Sequence, residues 1–177
     1  KIFCAKCGMT LPMFYRTNHA AMVDGKQKQF CSIFCLVETI KSGAKVTDVQ
    51  VIDNTSLKFI DANKAFYVVG SSKPATMAAT VSKYAFGTHS SAIKFAKKFG
   101  GRVMNYQETL ALAEADYDND NKMKIARQAK GAKRGEIIYK KLCSPINKKF
   151  QTASEAKTYI TKNNLCGGIK GKPLQMI

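Results

Sequence analysis

Four of the six cysteines in this 177-residue chain fall within its first 35 residues. They form two close pairs, Cys4-Ala5-Lys6-Cys7 and Cys31-Ser32-Ile33-Phe34-Cys35, with 23 residues between them. A C-x-x-C turn puts two sulfurs on one side of a tight loop, and Gly8 directly after it permits a backbone shape that a Cβ resists. In C-x-x-x-C the separation is one helical turn, so Cys31 and Cys35 are expected on one helix face. Asp24-Gly25, a strong hairpin turn signal, lies between the pairs, and a strand return there would bring the four thiols together. Two such pairs of soft ligands point to a metal site. Met9 adds a thioether two residues after Cys7, a ligand that suits copper(I) and that zinc rarely uses. A disulfide in an oxidising compartment is the alternative the residues leave open. A redox C-x-x-C is a further one, although no β-α-β pattern surrounds it.

The hydropathy pattern predicts strands over 17–24 and 26–30 and a helix from Ser32 to about Ser42, closed by Gly43. Strands are then expected over 45–53, 59–61 and 64–69, a loop over 70–80, and a short strand over 81–86. Thr88 or Ser90 caps a helix to Phe99, and Gly100-Gly101 ends it. A last short strand, 102–104, precedes a helix over 106–115. Twice the chain reads strand, strand, helix. The expected fold class is therefore α+β: two pseudo-repeated β-β-α units with antiparallel sheet, followed by a small helical C-terminal module.

The Cys4-x-x-Cys7-Gly8-Met9 element, Ala20-Ala21 and Gly25 are followed by Ala65-Phe66-Tyr67-Val68-Val69-Gly70-Ser71, Met77, Tyr84-Ala85-Phe86, Ala92, Phe95-Ala96 and Gly100-Gly101. In this order and spacing they resemble the NosL family, copper-binding accessory proteins of nitrous oxide reductase maturation. The resemblance covers roughly residues 2–112. Separately, Cys4, Cys7, Cys31-Ser32 and Cys35 resemble the TRASH type of metal-binding finger.

The NosL resemblance implies a periplasmic, often lipid-anchored protein that holds copper(I) and passes it to an apo-cuproenzyme or exchanges it with a membrane copper-handling protein. It implies Cys7 and Met9 as copper ligands, Cys4 as the other thiol of the motif, and Met77 as a further candidate. Cys31 and Cys35 depart from the family pattern. With them the site becomes a possible four-thiolate centre, and zinc enters as the alternative metal: a closed four-cysteine site is tetrahedral and structural, whereas delivery needs two or three soft ligands and an open position. His19 lies in the first strand and reads either as a copper ligand or as an ordinary, partly exposed histidine.

The charge of +17 is uneven. Residues 121–177 hold 14 Lys/Arg against 2 Asp/Glu, and residues 1–120 hold 15 against 10. Such a tail suits an acidic protein or an anionic membrane surface, or is simply a solvated face. Few aromatics accompany it and no nucleic-acid motif is present, which argues against nucleic acid. The domain reading is a metal-binding domain over 1–112, a charged linker over 113–134 and a small basic helical module over 135–177. In that module Cys143 and Cys166 are candidates for a disulfide stapling a unit too small to hold itself by core burial, with free thiols or a second metal site as the other options. No hydrolase triad, phosphate loop or carboxylate pair is present, so a non-enzyme is expected. The chain opens on Lys1 rather than Met, and the expectation is a removed leader, a secretory signal or a lipid anchor.

Overall fold

The computed structural model describes residues 2–76 and 79–177. The first repeat begins with β1 (His19–Val23) and β2 (Lys26–Phe30), joined at Asp24-Gly25, where φ is 49° and 75°. Two successive positive φ values give the turn twist that matches paired strands. The register runs from Val23 opposite Lys26 to His19 opposite Phe30, which brings the chain to Cys31 just past the end of β2. Helix α1 (Ile33–Lys41) follows, then β3 (Val46–Ile52) and β4 (Phe59–Asp61), in the strand order β2-β1-β3-β4. The second repeat has β5 (Phe66–Val69), β6 (Lys83–Phe86), α2 (His89–Phe99) and β7 (Arg102–Met104), ordered β6-β5-β7.

All these pairings are antiparallel, and the α+β class is as expected. In both repeats the first strand is central, the next strand lies on one side, and the strand after the helix lies on the other. The repeated unit is thus β-β-α-β, one strand longer than the sequence pattern. The strand itself is expected in both places, over 45–53 and 102–104, but its two copies differ in length, 7 residues in β3 and 3 in β7, which masks it as part of the repeat.

Helix α1 buries five consecutive residues, Ile33 to Val37. It is covered on one side by the first sheet and on the other by helix α3 (Tyr106–Leu142). Ser32 sits at the N-cap as expected, but its hydroxyl makes no capping bond and is buried without a partner among the described residues. Phe30, Leu36, Val51 and Tyr67 are fully buried around the same centre, each apolar side chain contributing roughly 2 kcal/mol of burial. Cys4, Cys31 and Cys35 belong to that cluster.

Residues 113–134, expected as a linker, are the middle of α3. This helix is 37 residues long, about 55 Å. Asn105 and Glu108 form a capping box at its start. Its inward stripe runs Tyr106, Thr109, Ala113, Tyr117, Asp120, Lys124, at helical spacing of three and four. The last two places are charged, so hydropathy does not display the period. Asp120 is buried and accepts from the Thr80 amide at 3.0 Å and the Thr80 hydroxyl at 3.1 Å. Lys124 reaches Glu38 of α1 at 2.7 Å. Gly135, read as the opening of a separate module, lies inside the same helix.

Past Leu142 the chain turns back through α4 (Ala153–Lys162) and α5 (Gly171–Met176). A disulfide joins Cys143 at the end of α3 to Cys166 just after α4. Among the described residues no helix is long and apolar enough to cross a membrane.

Candidate metal centre

The loop Cys4–Met9 is closed by backbone bonds. The Cys4 amide donates to Met9 O at 2.8 Å, the Gly8 amide to Cys4 O at 3.0 Å, and Phe3 bridges Thr10. The Ala5 amide donates to Gln29 O in β2 at 2.9 Å, so the loop is pinned to the strand that leads into Cys31. Cys31 precedes α1 rather than sharing its face, and Cys35 stands in the first turn. The Thr17 hydroxyl donates to Cys31 O at 2.7 Å and the Thr39 hydroxyl to Cys35 O at 2.9 Å, which fixes both carbonyls.

The four Sγ atoms of Cys4, Cys7, Cys31 and Cys35 all lie within 4.8 Å of one another. Cys7 and Cys31 are 3.5 Å apart, and Cys31 and Cys35 3.7 Å. A tetrahedral centre with metal–sulfur bonds of about 2.3 Å has sulfur–sulfur edges of about 3.8 Å. The cluster therefore has the dimensions of a thiolate metal site. Met9 Sδ lies 4.0 Å from Cys31 Sγ, at the edge of the group.

Burial divides the thiols. Cys4, Cys31 and Cys35 are fully buried, whereas Cys7 is only half-buried. Cys7 and Met9 face a cavity of about 430 Å³ whose other walls come from α3 and the C-terminal helices, among them Lys124, Arg127, Lys157 and Gln175. Met77 lies outside the described residues.

Electrostatics around the thiols is uneven. Hydrogen bonds from Cys31, Cys35 and Cys7 hold the Cys4 thiol well below its ordinary range. Cys35 is pushed well above it by its hydrogen bonds to Cys31, Cys4 and Cys7 and by burial. Without metal, the cluster keeps a thiolate at Cys4 and a proton at Cys35. The N-terminus of α1 directs its partial positive charge at the same place. Lys157 of α4, 5% exposed, brings a full positive charge close to Cys7. Burial lowers the Lys157 pKa.

His19 is not partly exposed. It is buried at 1% exposure, with Nδ1 3.0 Å from Thr17 O and Nε2 3.1 Å from the Tyr67 hydroxyl. A carbonyl only accepts, so Nδ1 carries the proton and Nε2 accepts from Tyr67. Both ring nitrogens are engaged in the core, away from any ligand role.

Sequence reasoning missed the cover over the site. The Thr10 amide donates to Gln175 Oε1 at 2.7 Å, and Lys157 Nζ donates to Gln175 O at 2.9 Å. The first contact ties the cysteine loop to a residue 165 positions away, and no local pattern announces it.

The family model of NosL matches residues 1–111. The chain belongs to the NosL family. The family recognised from the Cys-Gly-Met element and the distal aromatic series is thus the one shown, and the matched stretch contains both β-β-α-β repeats and all four clustered cysteines. The crystal structure of the copper chaperone NosL from Shewanella denitrificans is similar, at 24% identity over 60% of this chain and 87% of that one, with a TM-score of 0.48. No curated protein matches the chain. This NosL-family chain carries its C-terminal cover beyond the matched residues.

Proposed function

We propose that this protein binds copper(I) at the Cys4, Cys7, Cys31, Cys35 and Met9 sulfurs and hands it to an apo-cuproenzyme. It acts as a metal carrier rather than as an enzyme. Nitrous oxide reductase is the acceptor that the NosL resemblance implies, in the periplasm and near a membrane. One observation carries the reading: four thiols converge within 4.8 Å of one another, and the most accessible of them, Cys7, shares an open edge with a thioether. Copper(I) is soft and is satisfied by two or three sulfurs. The cluster holds more sulfur than it needs, so one bond to copper can be released at the open edge while others remain. The acceptor's ligand enters there, forms a bond to copper, and the Cys7 bond breaks. The metal stays monovalent throughout.

Anaerobic copper(I) titration against a competing chelator tests this. Affinity falls in Cys7→Ala and in Met9→Ala and is largely kept in Cys31→Ala. Undiminished affinity in both of the first two variants would sink the assignment of the exchanging edge. A second reading rests on the tetrahedral dimensions of the thiol group: a closed four-thiolate zinc site that stabilises the fold while the basic C-terminal region contacts an acidic partner. Elemental analysis of protein purified under reducing, metal-replete conditions separates the two.

A further inference from the structure

The cavity at the open edge of the cluster has a composition of its own. Its floor carries two soft sulfurs, Cys7 and Met9, and every other residue lining it lies beyond the stretch that matches the family. The charged side chains on its walls are all cations: Lys124, Arg127 and Lys157. Lys124 is balanced by Glu38 at 2.7 Å. Lys157 donates to a neutral carbonyl, Gln175 O, and among the described residues it makes no ion pair with a carboxylate. A buried ammonium hydrogen-bonded to a neutral carbonyl is costly, and a site of this kind selects anions. At about 430 Å³ the cavity suits a small molecule.

We propose that this cavity is a docking site for copper(I) carried by a small, carboxylate-bearing thiol, and that it is the loading entrance of the metal centre. The proposal rests on the copper reading above. The carrier's carboxylates face Lys157 and the cationic walls, and its copper faces Cys7. A bond forms between Cys7 Sγ and copper as one bond between copper and the carrier's sulfur breaks. The proton of the Cys7 thiol leaves on the released carrier thiol. Copper(I) changes ligand and not oxidation state, so no oxidant or reductant is required. Transfer to the buried thiols then completes uptake.

The test is stopped-flow loading of the full chain, without oxygen, from copper(I) complexes of three thiols. Mercaptosuccinate is anionic, 2-mercaptoethanol neutral and cysteamine cationic. Each rate is normalised to transfer from the same complex to the uncharged chelator neocuproine, which removes intrinsic differences between the thiols. The expected order is anionic, then neutral, then cationic, with about tenfold or more between the extremes at low salt, narrowing as ionic strength rises. Lys157→Gln compresses the order, and the exposed Lys64→Gln, outside the cavity, does not. Equal normalised rates, or an anionic complex that loads slowest, overturn the proposal while leaving copper binding intact. If no complex transfers copper even at equilibrium, the copper reading itself has failed and this entrance falls with it. The wild-type series decides the matter even where Lys157→Gln fails to fold.

Discussion

The Cβ of Ala153, at the start of α4, lies 2.8 Å from where a Cβ on Gly8 would stand. The metal loop and the C-terminal cover meet at this point, and the glycine is what lets them meet. Gly8 also has φ of 71°, a conformation that costs a residue with a Cβ about 1–2 kcal/mol. Gly8→Ala is therefore expected to destabilise the protein by at least that amount and to push α4 off the loop. Hydrogen exchange checks it: amides of Ala153–Lys162 lose protection while those of β1 and β3 keep theirs. Unchanged protection across α4 would falsify the contact.

His19 and Tyr67 make stability depend on pH. Burial lowers the His19 pKa from 6.5 to about 4. The unfolded chain therefore binds the proton more readily than the folded one. Stability from this residue is fully present above pH 6.5 and is lost as pH falls toward 4, an amount on the order of 3 kcal/mol. Urea denaturation at pH 7.5 and pH 4.5 measures the difference, and His19→Gln flattens it. Tyr67→Phe leaves Nε2 buried without its donor and is expected to cost about 1–3 kcal/mol at neutral pH.

Strands and short helices of the first 112 residues were legible because their signals are local. Asp24-Gly25 dictates its own turn, and Thr88 accepts from the Ser91 amide as a cap should. The four thiols were legible as a group through spacing alone. Helix α3 was not, since Asp120 and Lys124 occupy places on its buried stripe and are satisfied by Thr80 and Glu38, residues distant in sequence. The buried state of His19 was equally hidden, because its partner Tyr67 is 48 residues away. The cavity beside Cys7 depends on Lys157 and Gln175 returning to the loop from the far end of the chain. Periodicity reports which face of an element is apolar and is silent on which polar residues find a buried partner.

Cys143 and Cys166 close a loop of 23 residues that ties the end of α3 to the end of α4. In the chain-entropy account a loop of that size is worth about 3 kcal/mol. Replacing both with Ser is expected to lower the stability of the C-terminal helices by that order while the sheets remain folded. The cover over Cys7 then opens more often. Thiol alkylation kinetics at Cys7 reads this directly: the rate rises in the double variant, and the fully buried Cys4 and Cys35 remain slow. An unchanged Cys7 rate would show that the crosslink does not hold the cover down.

Metal uptake must displace protons, and their location sets the direction of the pH dependence. Cys4 is held as a thiolate by its neighbours, whereas Cys35 is pushed well above the ordinary thiol range and carries a proton before metal enters. A ligand that starts protonated competes with the metal, so apparent affinity rises with pH, about tenfold per unit for each proton released. Chelator competition at pH 6.5 and pH 8 is expected to show this slope, with proton release registered by an indicator dye in weakly buffered solution. Cys35→Ser removes one of the competing protons, and the slope falls by about one proton. A slope identical to wild type in that variant would mean that Cys35 keeps its proton and that the metal is held by the other sulfurs alone.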